Sequence, residues 1–109
     1  MGNHSLKIYQ ADVHTKYAFR SYAEARKAGA DFKTLKDYHL VFDGGMRSYG
    51  TKSNDILEEV FTSGNIGGLR QRMAEFYDHA RSISVSDIIE LDGTKYYCNP
   101  CGFAKVTEG

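Results

Sequence analysis

The 109-residue sequence predicts an α+β fold: a single small domain with an antiparallel sheet, a C-terminal β meander and two to three helices. Three observations carry that prediction. Apolar residues alternate at Leu6 and Ile8, and again at Ile83, Val85, Ile89 and Leu91, the period of half-buried strands. Between these stretches lie segments with helical spacing and capping residues. After Leu91 the chain is punctuated by Asp92-Gly93 and Asn99-Pro-Cys-Gly102, turn sequences that fold short strands back on one another. No repeat, low-complexity stretch or linker interrupts residues 1–109, so one domain is expected.

The elements follow in order. Leu6–Ala11 alternates and is read as a strand. Ser21-Tyr-Ala-Glu24 has the form of a capping box, in which the Ser hydroxyl and the Glu carboxylate satisfy free amides of a first turn. Ala23, Ala25 and Ala28 favour a helix, Arg26 and Lys27 suit its last turn, and Gly29 stops it, giving a helix over 22–28. Residues 31–37 read as a turn or one helical turn. Tyr38–Phe42 reads as a strand ended by a turn at Asp43-Gly-Gly45, and residues 46–53 as a polar loop or weak strand. Ser53 or Asn54 caps a second helix over 55–62, with Asp55, Glu58 and Glu59 toward its N-terminal end. Ser63–Gly68 reads as a flexible connection. A third helix over about 68–80 places Leu69, Met73, Phe76, Tyr77 and Ala80 on one face. Strands are expected at Ile88–Leu91, Thr94–Cys98 and Phe103–Val106.

Composition narrows function by exclusion. The chain carries 14 Lys+Arg and 14 Asp+Glu, a formal net charge of zero. That balance argues against bulk phosphate binding and against mimicry of DNA over the whole surface. The zero conceals a gradient: residues 1–54, with Lys16, Arg20, Arg26, Lys27, Lys33 and Lys36, are net basic, and residues 55–109 are net acidic. No run approaches the roughly 18 apolar residues of a membrane span, and Met1–Ser5 lacks the basic-then-apolar pattern of a signal peptide. The expectation is a cytoplasmic protein without a membrane partner.

Three local patterns then point to a family. Tyr17-Ala-Phe19 with Tyr22 and Gly29 comes first, and Tyr38-His-Leu-Val-Phe42 second. The most distinctive is Ser82-Ile-Ser-Val-Ser-Asp-Ile-Ile-Glu-Leu91, followed by Gly93, Tyr97, Gly102 and Phe103. Together they resemble the YodL-like domain, a small module of firmicute genomes, integrative elements, plasmids and phages, over about residues 6–107. The resemblance transfers no catalytic residue. It implies a habitat in mobile elements, where small orphan domains often inhibit host defence systems such as restriction or CRISPR nucleases. Cys98 and Cys101 stand where the family is expected to carry more hydrophobic or charged residues, so they read as a local feature.

Each candidate for chemistry competes with a plainer reading. Cys98-Asn-Pro-Cys101 has the spacing of two Zn ligands, yet a structural Zn needs four, and His4, His14, His39 and His79 would have to converge on it. Two reduced thiols in a β-turn is the first reading and redox activity the last; a disulfide is not expected in the cytosol. Gly67-Gly68-Leu-Arg-Gln-Arg72 opens the third helix. Arg70 and Arg72 oppose its dipole there, which suggests an anion or a partner, although Arg72 can also pair with Glu75. Ser82, Ser84, Ser86 and Asp87 read as turn and strand-face residues rather than a nucleophile with its orienting acid. Tyr9, Tyr17, Phe19, Tyr22, Tyr38 and Tyr49 are interleaved with Lys16, Arg20, Arg26 and Arg47. Exposed, they would form a stacking platform for single-stranded nucleic acid; buried, they are core.

The leading expectation is a non-enzymatic accessory protein that binds and occludes a host defence nuclease. Its contacts would be Tyr22, Arg26, Arg47, Tyr49, Arg70 and Arg72, of the residue types that most often anchor interfaces. No cofactor is called for. The alternatives are a nucleic-acid-binding accessory module and a small His-dependent nuclease or hydrolase acting by general acid–base chemistry.

Overall fold

The computed structural model describes residues 2–107 except Val13 and Lys16, so the expected role of Lys16 lies outside the described residues. Eight elements run in the predicted order β, α, β, α, α and a β meander: β1 (Gly2–Ala11), α1 (Tyr22–Lys27), β2 (Tyr38–Ser48), α2 (Ser53–Ile66), α3 (Gly68–Phe76), β3 (Ile88–Leu91), β4 (Thr94–Cys98) and β5 (Phe103–Lys105). The strands form one five-stranded sheet in the order β2-β1-β3-β4-β5, with every neighbouring pair antiparallel. The expected α+β architecture is the one observed, with three helices where two to three were expected.

Alternation along the strands divides the apolar residues between two cores. Leu6, Ile8, Ile89, Leu91 and Cys98 face α2 and α3 and pack with Ile56, Leu57, Val60, Leu69 and Met73. Ala11, Ile88 and Tyr97 face the other way, where Tyr17, Ala25, Phe32 and Tyr38 cover them. The sheet is thus the middle layer, with α2 and α3 on one side and α1 with its flanking loops on the other.

Local signals explain most boundaries. The Ser21–Glu24 capping box forms in full: the Ser21 hydroxyl accepts from the Glu24 amide, and the Glu24 carboxylate accepts from the Ser21 amide. Asp92 and Gly93 carry φ of 50° and 87°, the left-handed pair that turns a two-residue hairpin. At the next turn the Asn99 amide donates to the Gly102 carbonyl. Residues 31–37 form turns, held where the Asp31 carboxylate accepts from the Lys33 and Thr34 amides and the Thr34 hydroxyl.

Five expectations are corrected. Asp43-Gly-Gly45 does not end β2; the strand continues to Ser48, with Gly44 opposite Leu6 and Gly45 opposite Ser5. A Cβ on Gly44 would lie 2.8 Å from Cζ of Phe42, so glycine leaves room for that ring over the strand rather than making a turn. The register shift between Ile8 and Tyr9 leaves Val41 as an extra residue, which lets Val41 and Phe42 both be buried. The second helix is capped by Lys52, without a side-chain hydrogen bond, rather than by Ser53 or Asn54. It also runs through the expected flexible connection to Ile66, because a buried Gly64 lets α2 press against Ile83. The third helix stops at Phe76 instead of 80: Tyr77 takes φ −146°, an extended conformation, and the chain leaves the helix axis. Residues 82–87 form a turn rather than strand, with Ser86 at φ 82° and Val85 only half-buried.

Candidate functional site

The most organised polar constellation is built on the end of β1 and the segment after α3. Gln10 is buried, and its side-chain amide clasps the backbone of Arg81: Nε2 donates to the Arg81 carbonyl (2.8 Å), and Oε1 accepts from the Arg81 amide (3.0 Å). The same Nε2 donates to Asp87 Oδ2 at 3.0 Å, which also accepts from the Ser84 amide at 2.9 Å. Arg81 closes the ring. Its Nη1 donates to Asp87 Oδ1 at 3.2 Å, its Nη2 donates to the Ala11 carbonyl at 2.9 Å, and its guanidinium lies 5.3 Å from the centre of the Phe19 ring. Asp87 is fully buried. Burial pushes its pKa up to about 6, against the opposing pull of Arg81, the Ser84 amide and Gln10.

In front of this network lies a cleft of about 330 Å³, lined by Gln10, Asp12, His39, Tyr77, His79 and Arg81 among others. His39 and Tyr77 stack at 5.8 Å and 17°, and the His79 ring meets Tyr77 edge-on at 5.7 Å. The fold dictates this meeting. Because α3 stops at Phe76, Tyr77, His79 and Arg81 follow in a turn and extended segment along the strand that carries His39. Arg70 holds that segment in place, its Nη2 donating to the Ala80 carbonyl at 2.9 Å. The arrangement offers a planar ring face for stacking, two imidazoles able to carry protons, and a guanidinium fixed before any ligand arrives.

The six residues expected to form one patch are divided by the sheet. Tyr22 and Arg26 belong to the α1 side. Tyr22 packs 5.2 Å from Phe32 and 5.3 Å from Tyr97, and the Arg26 guanidinium sits 5.6 Å from the Tyr22 ring centre. Arg70 and Arg72 are on α3, across the sheet. Arg70 bonds the Ala80 carbonyl, and Arg72 lies 4.8 Å over the Phe42 ring and donates to the Gly45 carbonyl at 3.2 Å. Arg72 thus reaches β2 rather than Glu75, and Arg70 is bonded through Nη2 alone, its buried Nη1 having no hydrogen-bond partner among the described residues. Arg47, at the end of β2, reaches Asn3 Oδ1 at 3.3 Å; Tyr49 beside it is 79 % exposed. Arg47 and Arg72 do share the lining of one cleft of about 300 Å³.

Cys98 is buried and Cys101 exposed, both as free thiols. Burial, followed by the charge of Asp87, pushes the Cys98 thiol well above its ordinary range. Among the described residues no three His, Cys, Asp or Glu side chains come together as a metal would need. The four histidines do not converge: His4 bonds Asp92 at 2.7 Å, whereas His39 and His79 share the cleft. Of the serines, the Ser86 hydroxyl accepts from the Phe19 amide at 2.9 Å, a long-range contact rather than the expected local hydroxyl turn.

The sequence reading missed His39, Tyr77, His79 and Arg81 as a group. The available signal was the alternation Tyr77, His79, Arg81, which a helix drawn to residue 80 scatters around its axis. No helix among the described residues is long and apolar enough to cross a membrane. A family profile described as the YodL-like domain matches residues 5–108. No curated protein and no solved structure matches the chain.

Proposed function

The chain belongs to the YodL-like domain family, and from that premise we propose that it is a non-enzymatic accessory protein of firmicute mobile elements, acting in the cytoplasm by binding and occluding a host defence nuclease. The observation that carries this reading is the cleft between β2 and the segment after α3. Tyr77, flanked by His39 and His79, stands beside an Arg81 whose orientation is fixed by buried Asp87. Aromatic and arginine side chains held in place before binding lose little entropy on docking, which is why such residues anchor interfaces. The exposed Tyr49, with Arg47 and Arg72 nearby, extends the same chemistry along β2.

Titrating the purified protein into cleavage assays of CRISPR effectors and restriction endonucleases from a firmicute host tests the proposal. Cleavage should fall and saturate at a fixed ratio. Tyr77→Ala combined with His79→Ala should weaken inhibition by roughly 30-fold, the loss of about 2 kcal/mol expected of an interface anchor; Tyr77 also packs against the core, so the melting temperature should fall and the comparison is made where circular dichroism shows the variant folded. A protein that leaves every nuclease unaffected overturns it.

A second reading is favoured by one observation, the presence of two imidazoles in the same cleft. One could take and the other give a proton in a small hydrolase. That reading requires the protein alone to turn over RNA or a phosphoester, and His39→Ala to abolish the turnover.

A further inference from the structure

We propose that the free edge of β2 pairs with the same edge of a second copy of this chain, about a two-fold axis at Gly45, to give a continuous ten-stranded sheet. This goes beyond the reading above and rests on the backbone edge of β2 rather than on the cleft of His39, Tyr77, His79 and Arg81, with Arg47 and Arg72 common to both. β2 is an outer strand of the sheet. The direction of its peptide groups follows from its neighbour. Ser5 turns its peptide groups toward β3: its carbonyl accepts from the Asp92 amide at 2.9 Å, and its amide donates to Asp92 Oδ1 at 2.9 Å. Gly45, directly opposite Ser5, therefore points its N–H and C=O away from β1 and out of the sheet. The Arg72 contact to the Gly45 carbonyl comes from that open side. By alternation, Asp43 and Arg47 direct their peptide groups outward as well.

The pairable stretch is bounded by the fold. The bulge at Val41 ends regular pairing on one side and β2 itself ends at Ser48 on the other, leaving Phe42–Ser48, whose midpoint is Gly45. Antiparallel pairing about that midpoint sets Asp43 opposite Arg47 of the second copy and Arg47 opposite its Asp43, two opposite-charge cross-strand pairs from one segment. Asp43, Gly45 and Arg47 are all exposed, and the missing side chain on Gly45 lets two backbones approach at the axis. The Gly45 carbonyl has a second lone pair, so it can take the incoming amide while Arg72 stays over Phe42. His39 lies outside the paired stretch, so the cleft stays open in the dimer.

Sedimentation equilibrium across a concentration series is the test. The wild-type chain should pass from monomer to dimer by about 100 µM. Asp43→Arg alone and Arg47→Asp alone, each of which sets like charges opposite one another, should weaken the dimer by roughly tenfold or more. The double exchange, Asp43→Arg with Arg47→Asp, should restore it. These residues are exposed and serve no core contact, so circular dichroism should be unchanged in all three. A wild-type chain that stays monomeric throughout overturns the pairing, and a dimer indifferent to the single exchanges overturns the axis at Gly45.

Discussion

Asp87 is the residue on which most of the polar interior turns, and its behaviour with pH follows from its burial. Its folded pKa of about 6 lies above the ordinary 3.8, so the folded state holds the proton more tightly than the unfolded state. As pH falls through 6 toward 4, this group therefore favours folding, by about 3 kcal/mol when the change is complete. Urea denaturation at pH 7, 6 and 5 should show the wild type gaining on Asp87→Asn as pH falls. A gap that stays flat, or that moves the other way, would mean that Arg81 dominates over burial. The two cysteines give a second test at this scale. Ellman's reagent should titrate one thiol promptly, the exposed Cys101, and reach Cys98 only on unfolding. Two prompt equivalents would contradict the burial of Cys98.

Among the elements, α2 depends on one atom that is absent. A Cβ at Gly64 would lie 2.2 Å from Cδ1 and 2.6 Å from Cγ1 of Ile83, itself buried and unable to swing away. Gly64→Ala should cost about 1–3 kcal/mol despite the better helix propensity of alanine, and shortening the neighbour with Ile83→Val should recover part of it. At α1, Ser21→Ala removes the hydroxyl of the capping box and should cost about 1 kcal/mol in thermal denaturation. These helices also mark what could be read in advance. The capping box, the Asp92-Gly93 hairpin and the meander were legible because each is set by residues within four positions of one another. The extent of β2 and α2 was not, because Gly44, Gly45 and Gly64 are locally turn-like and only distant neighbours, Leu6 across the sheet and Ile83 beyond α3, make them strand and helix. The cleft was hidden for the same reason. His39 and Tyr77 are 38 positions apart, and an early end to α3 brings them into contact.

For the molecule as a whole, one sheet holds two cores, and β1 and β3 supply residues to both. The same division explains why Tyr22 and Arg26 cannot act together with Arg70 and Arg72 on one flat partner. It also makes cooperativity measurable without added probes. Tyr17, Tyr22, Tyr38 and Tyr97 cluster on the α1 side, while the long helices α2 and α3 lie on the other. Tyrosine fluorescence should therefore be weighted toward the α1 side, although Tyr77 and Tyr96 pack against the other core, and far-UV circular dichroism toward α2 and α3. The two unfolding curves should coincide, because neither layer can leave without exposing the shared strands. Separate midpoints would make the layers independent units.

The strand order has a consequence for synthesis. β1 is made before both of its neighbours, yet it lies between them. On the ribosome it can zip to β2 once residue 48 has emerged, but its other side waits until residue 91 has been translated. At roughly 5–20 residues per second, that leaves the nascent hairpin with an open, apolar flank for several seconds. The chain is then most exposed to chaperones, and to pairing with a neighbour on the same message, before its third strand arrives.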